Sequence, residues 1–131
     1  MATLLVIEDE VPLRANLVRI LSAEGYRVIA AADGDEGIRR VREGRPDLVV
    51  CDILMPLVDG FGVLASLRSQ PETAALPFIF LTASADKETL ARGLRSGANE
   101  YVTKPFRIAD LLAAVRRRLP PSEGRATRDE G

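Results

Sequence analysis

Five short, mainly apolar runs recur along the chain, and their continuity constrains the fold more than any other feature of the sequence. The runs occupy residues 4–7, 27–30, 48–51, 78–81 and 101–102. They are rich in branched side chains and do not alternate with polar residues, which is typical of strands that are covered on both faces. We therefore expect five buried strands.

Apolar residues between these runs recur with the period of an α-helix. Pro12 precedes the first of these stripes and fits a first helical turn, where the missing N–H would be unpaired anyway. Five strands that alternate with five helices predict a doubly wound α/β domain with a parallel sheet and right-handed crossovers. The stripes are Leu13, Leu17, Ile20 and Leu21; Ile38 and Val41; Leu64 and Leu67; Leu90 and Leu94; and Ile108, Leu111, Leu112, Val115 and Leu119.

The length of 131 residues suits a single domain, which we place at residues 1–119. Residues 120–131 begin with two prolines and contain little to bury, so we interpret them as a flexible tail or a severed linker. No apolar run approaches the roughly 20 residues that a membrane span requires. The first residues contain neither a basic leader nor a cleavage site, and we expect a cytoplasmic protein.

The composition excludes several classes of active site. The chain has no histidine and one cysteine, Cys51, which rules out a Ser-His-Asp or Cys-His site, a histidine-ligated zinc and an internal disulfide. The net charge of -1 gives this domain no general electrostatic reason to bind nucleic acid or an anionic membrane. Any reactive group must be a carboxylate, a hydroxyl or one of the two lysines, Lys87 and Lys104.

Carboxylates follow two of the predicted strands directly. The first strand leads into Glu8, Asp9 and Glu10, and the third leads into Asp52. In a parallel sheet these positions share the edge where ligands bind. For Glu10 a role ahead of the first helical turn is the simpler interpretation, but the other carboxylates would repel one another unless a cation intervened. An all-oxygen set with open positions favours Mg²⁺.

Two further strand ends supply groups that suit phosphoryl chemistry. Thr82 offers a hydroxyl after the fourth strand, and Lys104 offers an ammonium after the fifth. A carboxylate can act as a phosphoryl nucleophile. Each residue alone is weak support, but their joint occurrence at four strand ends predicts a phosphoryl-transfer site. No glycine-rich phosphate loop offers a competing explanation.

Four motifs together resemble the receiver domain of two-component response regulators. They are Glu8-Asp9, Asp52-Ile53-Leu54-Met55-Pro56 followed by Asp59-Gly60, Thr82-Ala83, and Lys104-Pro105-Phe106. The resemblance covers residues 3–119 and implies a flavodoxin-like sheet with the strand order 2-1-3-4-5.

The resemblance also implies a metal site. Asp52 would be the phosphoacceptor, and Asp9, Asp52 and the backbone carbonyl of Leu54 would bind Mg²⁺ or Mn²⁺ directly. Glu8 would act through a metal-bound water.

A further set of implied roles concerns switching. Lys104, which is expected to precede a cis Pro105, would pair with the phosphoryl group, Thr82 would turn to hydrogen-bond it, and Tyr101 would follow inward. Leu54 and Ser84 would flank the path of an attacking water and tune the phosphoryl lifetime.

The function that the resemblance implies is a phosphorylation-dependent signalling switch rather than an enzyme with external substrates. A sensor histidine kinase or a histidine phosphotransfer protein would supply the phosphoryl group, since this chain has no histidine of its own. The face of the fourth helix, fifth strand and fifth helix would then dock an effector or a second copy.

Two alternatives remain open. One is a phosphatase or phosphotransferase that uses Asp52 on external substrates; the aspartate phosphatases that it would resemble carry Asp-x-Asp-x-Thr after the first strand, whereas Asp52 follows the third and Leu54 stands two positions later. The other is a docking module that works without phosphorylation.

Other conspicuous residues have simpler interpretations. We expect Cys51 and Met55 to be core residues and Phe61 and Phe106 to be anchors that face the core. Residues 116–118 are three arginines, which we interpret as a solvated helix end that the helix dipole favours.

Overall fold

The computed structural model describes residues 1–83 and 86–119 and confirms the predicted alternation of five strands and five helices. The strands are β1 Thr3–Ile7, β2 Arg27–Ala31, β3 Leu48–Asp52, β4 Phe78–Thr82 and β5 Glu100–Thr103. The helices are α1 Val11–Ala23, α2 Gly34–Gly44, α3 Gly60–Arg68, α4 Lys87–Arg95 and α5 Ile108–Arg118.

The sheet has the order β2-β1-β3-β4-β5 with every neighbouring pair parallel, as the resemblance implied. All residues of the central strands β3 and β4 are buried, which explains their continuous apolar runs. The edge strands β2 and β5 are partly exposed. Cys51 of β3 lies between Ile7 of β1 and Phe80 of β4, so the three central strands end at nearly the same level.

Helices cover both faces of this sheet. Leu5 and Ile7 point to the layer that contains α2 and α3, while Leu4 and Val6 point to the layer that contains α1 and α5. Pro12 stands in the first turn of α1, as predicted. Cys51 and Met55 are buried, and Phe61 and Phe106 pack against the two cores, also as predicted.

Helix α4 packs differently from the predicted apolar stripe. It lies wholly within the described residues, yet Gly93 is its only buried residue and Leu94 is 47% exposed. A Cβ built on Gly93 would approach the Phe80 ring to 3.0 Å. The helix therefore comes close to the sheet because Gly93 has no side chain, and not because its leucines pack against the sheet.

Two details of α5 also differ from the sequence interpretation. Ile108, predicted to lie on the buried face, is 53% exposed at the start of the helix. The arginines at the other end are not merely solvated, because Arg117 and Arg118 both pair with the carboxylate of Glu100 on β5. The third arginine, Arg116, lies 4.0 Å from Glu24. Charge pairing as well as the helix dipole therefore accounts for this cluster.

Among the helices in the described part of the chain, none combines the length and the apolar character that crossing a bilayer would demand. The interpretation of residues 120–131 as a tail concerns a segment outside the described residues.

Candidate functional site

The carboxylates predicted from the strand ends do come together. Strands β1 and β3 are parallel neighbours, with Ile7 opposite Cys51, so Glu8, Asp9 and Asp52 emerge side by side. One carboxylate oxygen from each of the three lies within 4.8 Å of the others. Glu8 and Asp52 are buried, whereas Asp9 is exposed and leaves the group open to solvent. A compact all-oxygen set with one open side fits a hard divalent cation such as Mg²⁺.

Lys104 lies against two of these carboxylates. Its Nζ is 3.3 Å from Oε1 of Glu8 and 3.3 Å from Oδ2 of Asp52. The residue follows β5 directly, its backbone N–H donates to the carbonyl oxygen of Thr82 at 2.7 Å, and the Lys104–Pro105 peptide bond is cis. From the sequence we expected this ammonium to pair with a phosphoryl group. Its pairing with the Glu8 and Asp52 carboxylates was not predicted.

Burial and neighbouring charges together set the pKa values of Glu8 and Lys104. Burial, with a further contribution from the charge of Asp52, raises the pKa of Glu8 to about 7, although the Glu10 N–H and Lys104 oppose the change. Burial alone would lower the pKa of Lys104, but the charges of Asp52 and Glu8 outweigh it and raise the pKa. Lys104 is therefore charged at neutral pH.

The start of α1 holds Glu8 in place. The backbone N–H of Glu10 donates to Oε2 of Glu8 at 3.1 Å, and Arg14 donates from its Nη1 to the Glu8 carbonyl oxygen at 2.9 Å. Glu10 occupies the N-cap position of α1, but its side chain makes no capping hydrogen bond. Sequence reasoning missed Arg14, whose only signal was its position one turn into the helix that follows the acidic cluster.

The loop after β3 folds back onto the strand end. Gly60 begins α3 so close to β3 that a Cβ on it would lie 2.5 Å from the Asp52 carbonyl oxygen. Its N–H donates to the Ile53 carbonyl oxygen at 2.8 Å, and the Asp59 side chain caps α3 by accepting from the Gly62 N–H at 2.9 Å. Leu54 follows Ile53 and is 70% exposed. The backbone of Asp52 is therefore held by α3.

The remaining predicted residues lie at the ends of β4 and β5. Thr82 is the last residue of β4 and is buried. Tyr101 lies beside Phe80 in the strand register, and it is 36% exposed on the outer edge of the sheet. Ser84 lies outside the described residues.

Comparisons with known proteins agree with this geometry. Residues 4–116 match the model of the response regulator receiver domain. The chain is 42% identical over 127 residues to the transcriptional regulatory protein AfsQ1 of Streptomyces coelicolor, an alignment that covers 97% of this chain and 55% of AfsQ1. The chain spans about half the length of the curated relatives it matches.

Solved structures give the same result. The chemotaxis protein CheY4 of Vibrio cholerae is 31% identical with a TM-score of 0.87, over 91% of this chain and 99% of that one. The receiver domain of the sensor histidine kinase PA1611 from Pseudomonas aeruginosa, which was solved with magnesium in its active-site cleft, is 30% identical with a TM-score of 0.83, over 90% and 97% of the two chains. With its parallel five-stranded fold and an acidic pocket at the carboxyl edge of the sheet, the chain belongs to the family of response regulator receiver domains.

Proposed function

We propose that this receiver domain is a phosphorylation-dependent switch in which Asp52 accepts a phosphoryl group from a histidine of a partner protein. The observation that carries the proposal is the juxtaposition of the Glu8, Asp9 and Asp52 carboxylates, within 4.8 Å of one another, with the Lys104 ammonium. Such a group combines a nucleophile, a cation site and a fixed positive charge.

In the transfer step a carboxylate oxygen of Asp52 attacks the phosphorus of the phosphohistidine. The new P–O bond forms as the P–N bond breaks, and the electron pair returns to the ring nitrogen, which takes up a proton. Asp9, Asp52 and the Leu54 carbonyl would hold Mg²⁺ or Mn²⁺, with Glu8 acting through a water, and the ion when bound neutralises charge on the phosphoryl oxygens. Lys104 provides a second positive charge. Hydrolysis reverses the modification: water attacks phosphorus, the bond between phosphorus and the Asp52 oxygen breaks, and inorganic phosphate leaves while Asp52 returns to the carboxylate.

Thr82 and Tyr101 would respond to phosphorylation of Asp52. A phosphoryl group on Asp52 adds negative charge and acceptor oxygens, which favour a conformation in which the Thr82 hydroxyl and Lys104 approach it. Tyr101 is half-exposed beside α4, whose only buried residue among those described is Gly93, so this helix is weakly held. We propose that the face formed by α4, β5 and α5 carries the change to an effector or a second copy.

Phosphorylation from a small donor tests the site without the cognate kinase. We expect the protein, incubated with MgCl₂ and acetyl phosphate, to gain one phosphoryl group by intact mass spectrometry. The Asp52→Asn variant should gain none. Asp35→Asn is a matched control, because Asp35 is an exposed aspartate in the first turn of α2; it should be modified like the unchanged protein.

Three outcomes would contradict the proposal. An adduct that survives Asp52→Asn would place the modification elsewhere. Absence of any adduct with either Mg²⁺ or Mn²⁺ would favour a docking module that works without phosphorylation. Steady turnover of a phosphomonoester, lost in Asp52→Asn, would favour a phosphatase instead.

A further inference from the structure

A cavity of about 550 Å³ opens between α2 and α3, away from the carboxylate cluster. Its floor is apolar and includes Val41, Pro46, Leu67 and Leu76. Val41 and Leu67 are buried in the same core that packs against the sheet, so the floor belongs to the folded body of the domain rather than to a surface loop. Its volume lies within the range of about 300–1,000 Å³ that is usual for small-molecule sites.

The cavity lies at the opposite edge of the sheet from Asp52. Pro46 precedes β3 and Leu76 precedes β4, so both mark the amino ends of strands whose carboxyl ends carry Asp52 and Thr82. The five residues of β3 span about 16 Å at the usual rise of about 3.3 Å per residue. A molecule in this cavity would not touch the phosphoryl-transfer groups.

Positive charge marks the α2 side of the cavity. Arg42 in the last turn of α2 and Arg45 just beyond it both line the opening, against a single carboxylate, Glu72. Within residues 1–83 and 86–119, neither guanidinium makes an ion pair or a hydrogen bond. Both are therefore available to an anion.

The backbone at Arg45 is unusual for an arginine. Its φ of 44° and ψ of 61° lie in the left-handed region, which glycine and asparagine normally occupy at helix ends. Gly44 precedes it and remains helical. Backbone conformations that are unfavourable for a residue with a side chain cluster at functional sites. This one lies at the mouth of the cavity.

We propose that this cavity binds a small organic anion. An aromatic or aliphatic body would cover the floor formed by Val41, Pro46, Leu67 and Leu76, and a carboxylate, sulfonate or phosphate group would lie between Arg42 and Arg45. The cavity combines an apolar floor with two guanidinium groups that have no partner in the described part of the chain. Apolar surface supplies affinity, and a few polar groups fix the orientation of a ligand.

The fluorescent probe 8-anilinonaphthalene-1-sulfonate has this chemistry, with an aromatic body and one anionic group. We expect it to bind the full chain at a single saturable site. The double variant R42Q/R45Q should weaken binding about a hundredfold, since it removes two charge-assisted hydrogen bonds and each is worth about one factor of ten. Ser66→Leu, which places a larger side chain and a good helix former on the α3 side of the cavity, should also weaken binding.

Arg39→Gln is the matched control, because Arg39 is an exposed arginine on the same helix that does not line this cavity. Circular dichroism and thermal unfolding should show that all variants remain folded. A paired competition tests the charge: octanoate should displace the probe at least about tenfold more effectively than octanol, which has the same chain length and no charge.

Several results would overturn the proposal. Equal displacement by octanol and octanoate, or full binding by R42Q/R45Q, would mean that the cavity accepts apolar molecules without regard to charge. Undiminished binding by folded Ser66→Leu, or an equal loss of binding in Arg39→Gln, would place the probe elsewhere. If Ser66→Leu changed the sedimentation coefficient of the free protein, the occupant would be a second copy of the chain.

Discussion

Lys104 lies between two carboxylates of the acidic cluster and pairs with both. Its ammonium lies 3.3 Å from oxygens of both Glu8 and Asp52, which are otherwise two buried carboxylates beside the exposed Asp9. An ammonium offsets the repulsion between them, but it also competes with any metal ion for the same oxygens. The residue therefore has two opposed effects on cation binding, and their balance can be measured.

We predict that Lys104→Ala binds Mg²⁺ about tenfold more tightly than the unchanged protein. Removing a positive charge from beside the site relieves a repulsion of about 1 kcal/mol or more at this range. Isothermal titration calorimetry measures the change directly. Lys87→Ala is a matched control, because Lys87 is the other lysine of the chain and lies exposed at the start of α4. Unchanged or weaker Mg²⁺ binding by Lys104→Ala would show that ordering of the carboxylates by the ammonium outweighs its competition with Mg²⁺.

At the scale of elements, helices reach the sheet in two different ways. Helix α5 buries Leu111, Leu112 and Val115, as its apolar stripe predicted. Helix α3 also buries Leu64 and Leu67 as predicted, but it comes close to β3 at Gly60, where an added methyl group would meet the Asp52 carbonyl oxygen. Helix α4 approaches the sheet at Gly93, where an added methyl group would meet the Phe80 ring. Contacts made by glycine leave little signal in hydrophobic periodicity, because the residue that permits them adds no apolar side chain.

Gly60→Ala should destabilise the domain by more than about 1 kcal/mol. A Cβ at this position would lie 2.5 Å from the Asp52 carbonyl oxygen and 2.8 Å from the Ile53 Cα, and both are backbone atoms that cannot move aside cheaply. Urea unfolding followed by circular dichroism measures the loss.

Gly62→Ala provides the control within the same helical turn. Its Cβ would meet only the Val58 side chain at 3.1 Å and the Asp59 side chain at 3.6 Å, and alanine gains up to about 1 kcal/mol of helix propensity. The change should therefore be close to neutral. Equal losses in both variants would refute the close approach of α3 to Asp52.

The pairing of β5 with α5 should depend on pH. Burial would raise the pKa of Glu100, but hydrogen bonds and charges from Arg117 and Arg118 outweigh it and lower the pKa below 4.5. A carboxyl group whose pKa is lower in the folded state stabilises the fold above its unfolded pKa, and this contribution is lost as the pH falls through the folded value.

Glu100→Gln should accordingly reduce the free energy of unfolding at about pH 7 and have a smaller effect at about pH 3, where more of the Glu100 carboxyl group is protonated. Urea unfolding at both pH values gives the comparison. Glu43→Gln, which replaces an exposed glutamate at the end of α2, should show no pH-dependent difference. A loss of equal size at the lower pH would mean that the Glu100 side chain acts through packing instead of charge.

For the whole molecule, the parallel sheet separates two edges with different chemistry. The carboxyl edge carries the acidic cluster and Lys104, and the amino edge carries the cavity with Arg42 and Arg45. Between them run two apolar cores, one on each face of the sheet. Helix α5 covers one of these cores, so we expect the folded domain to require the chain as far as the end of this helix.

Shortening the chain tests the predicted domain boundary. Residues 1–119 alone should have a free energy of unfolding within about 0.5 kcal/mol of the full chain. Ending at residue 113 should cost more than about 3 kcal/mol, because it removes Ala114 and Val115, which are fully buried against the sheet. Urea unfolding distinguishes the two. A large loss on removing residues 120–131 would show that this segment contributes to the fold.

Much of the fold of this protein could be predicted from local patterns in its sequence. Continuous apolar runs and helical stripes predicted the number and order of the elements, because both periods are properties of a few consecutive residues. The same reasoning placed Asp9, Asp52 and Lys104 at one edge, since parallel strands share their carboxyl ends. The strand order came from the resemblance to receiver domains, and the sheet confirms it.

The tertiary structure alone decided which distant groups meet. Lys104 and Glu8 are 96 positions apart, and their pairing depends on how β5 and β1 sit across the sheet. The same is true of Glu100 with Arg117, of Gly93 with Phe80, and of the cavity between α2 and α3. These contacts are set by ångström-scale distances between packed elements, and no periodicity within a single element encodes such a distance.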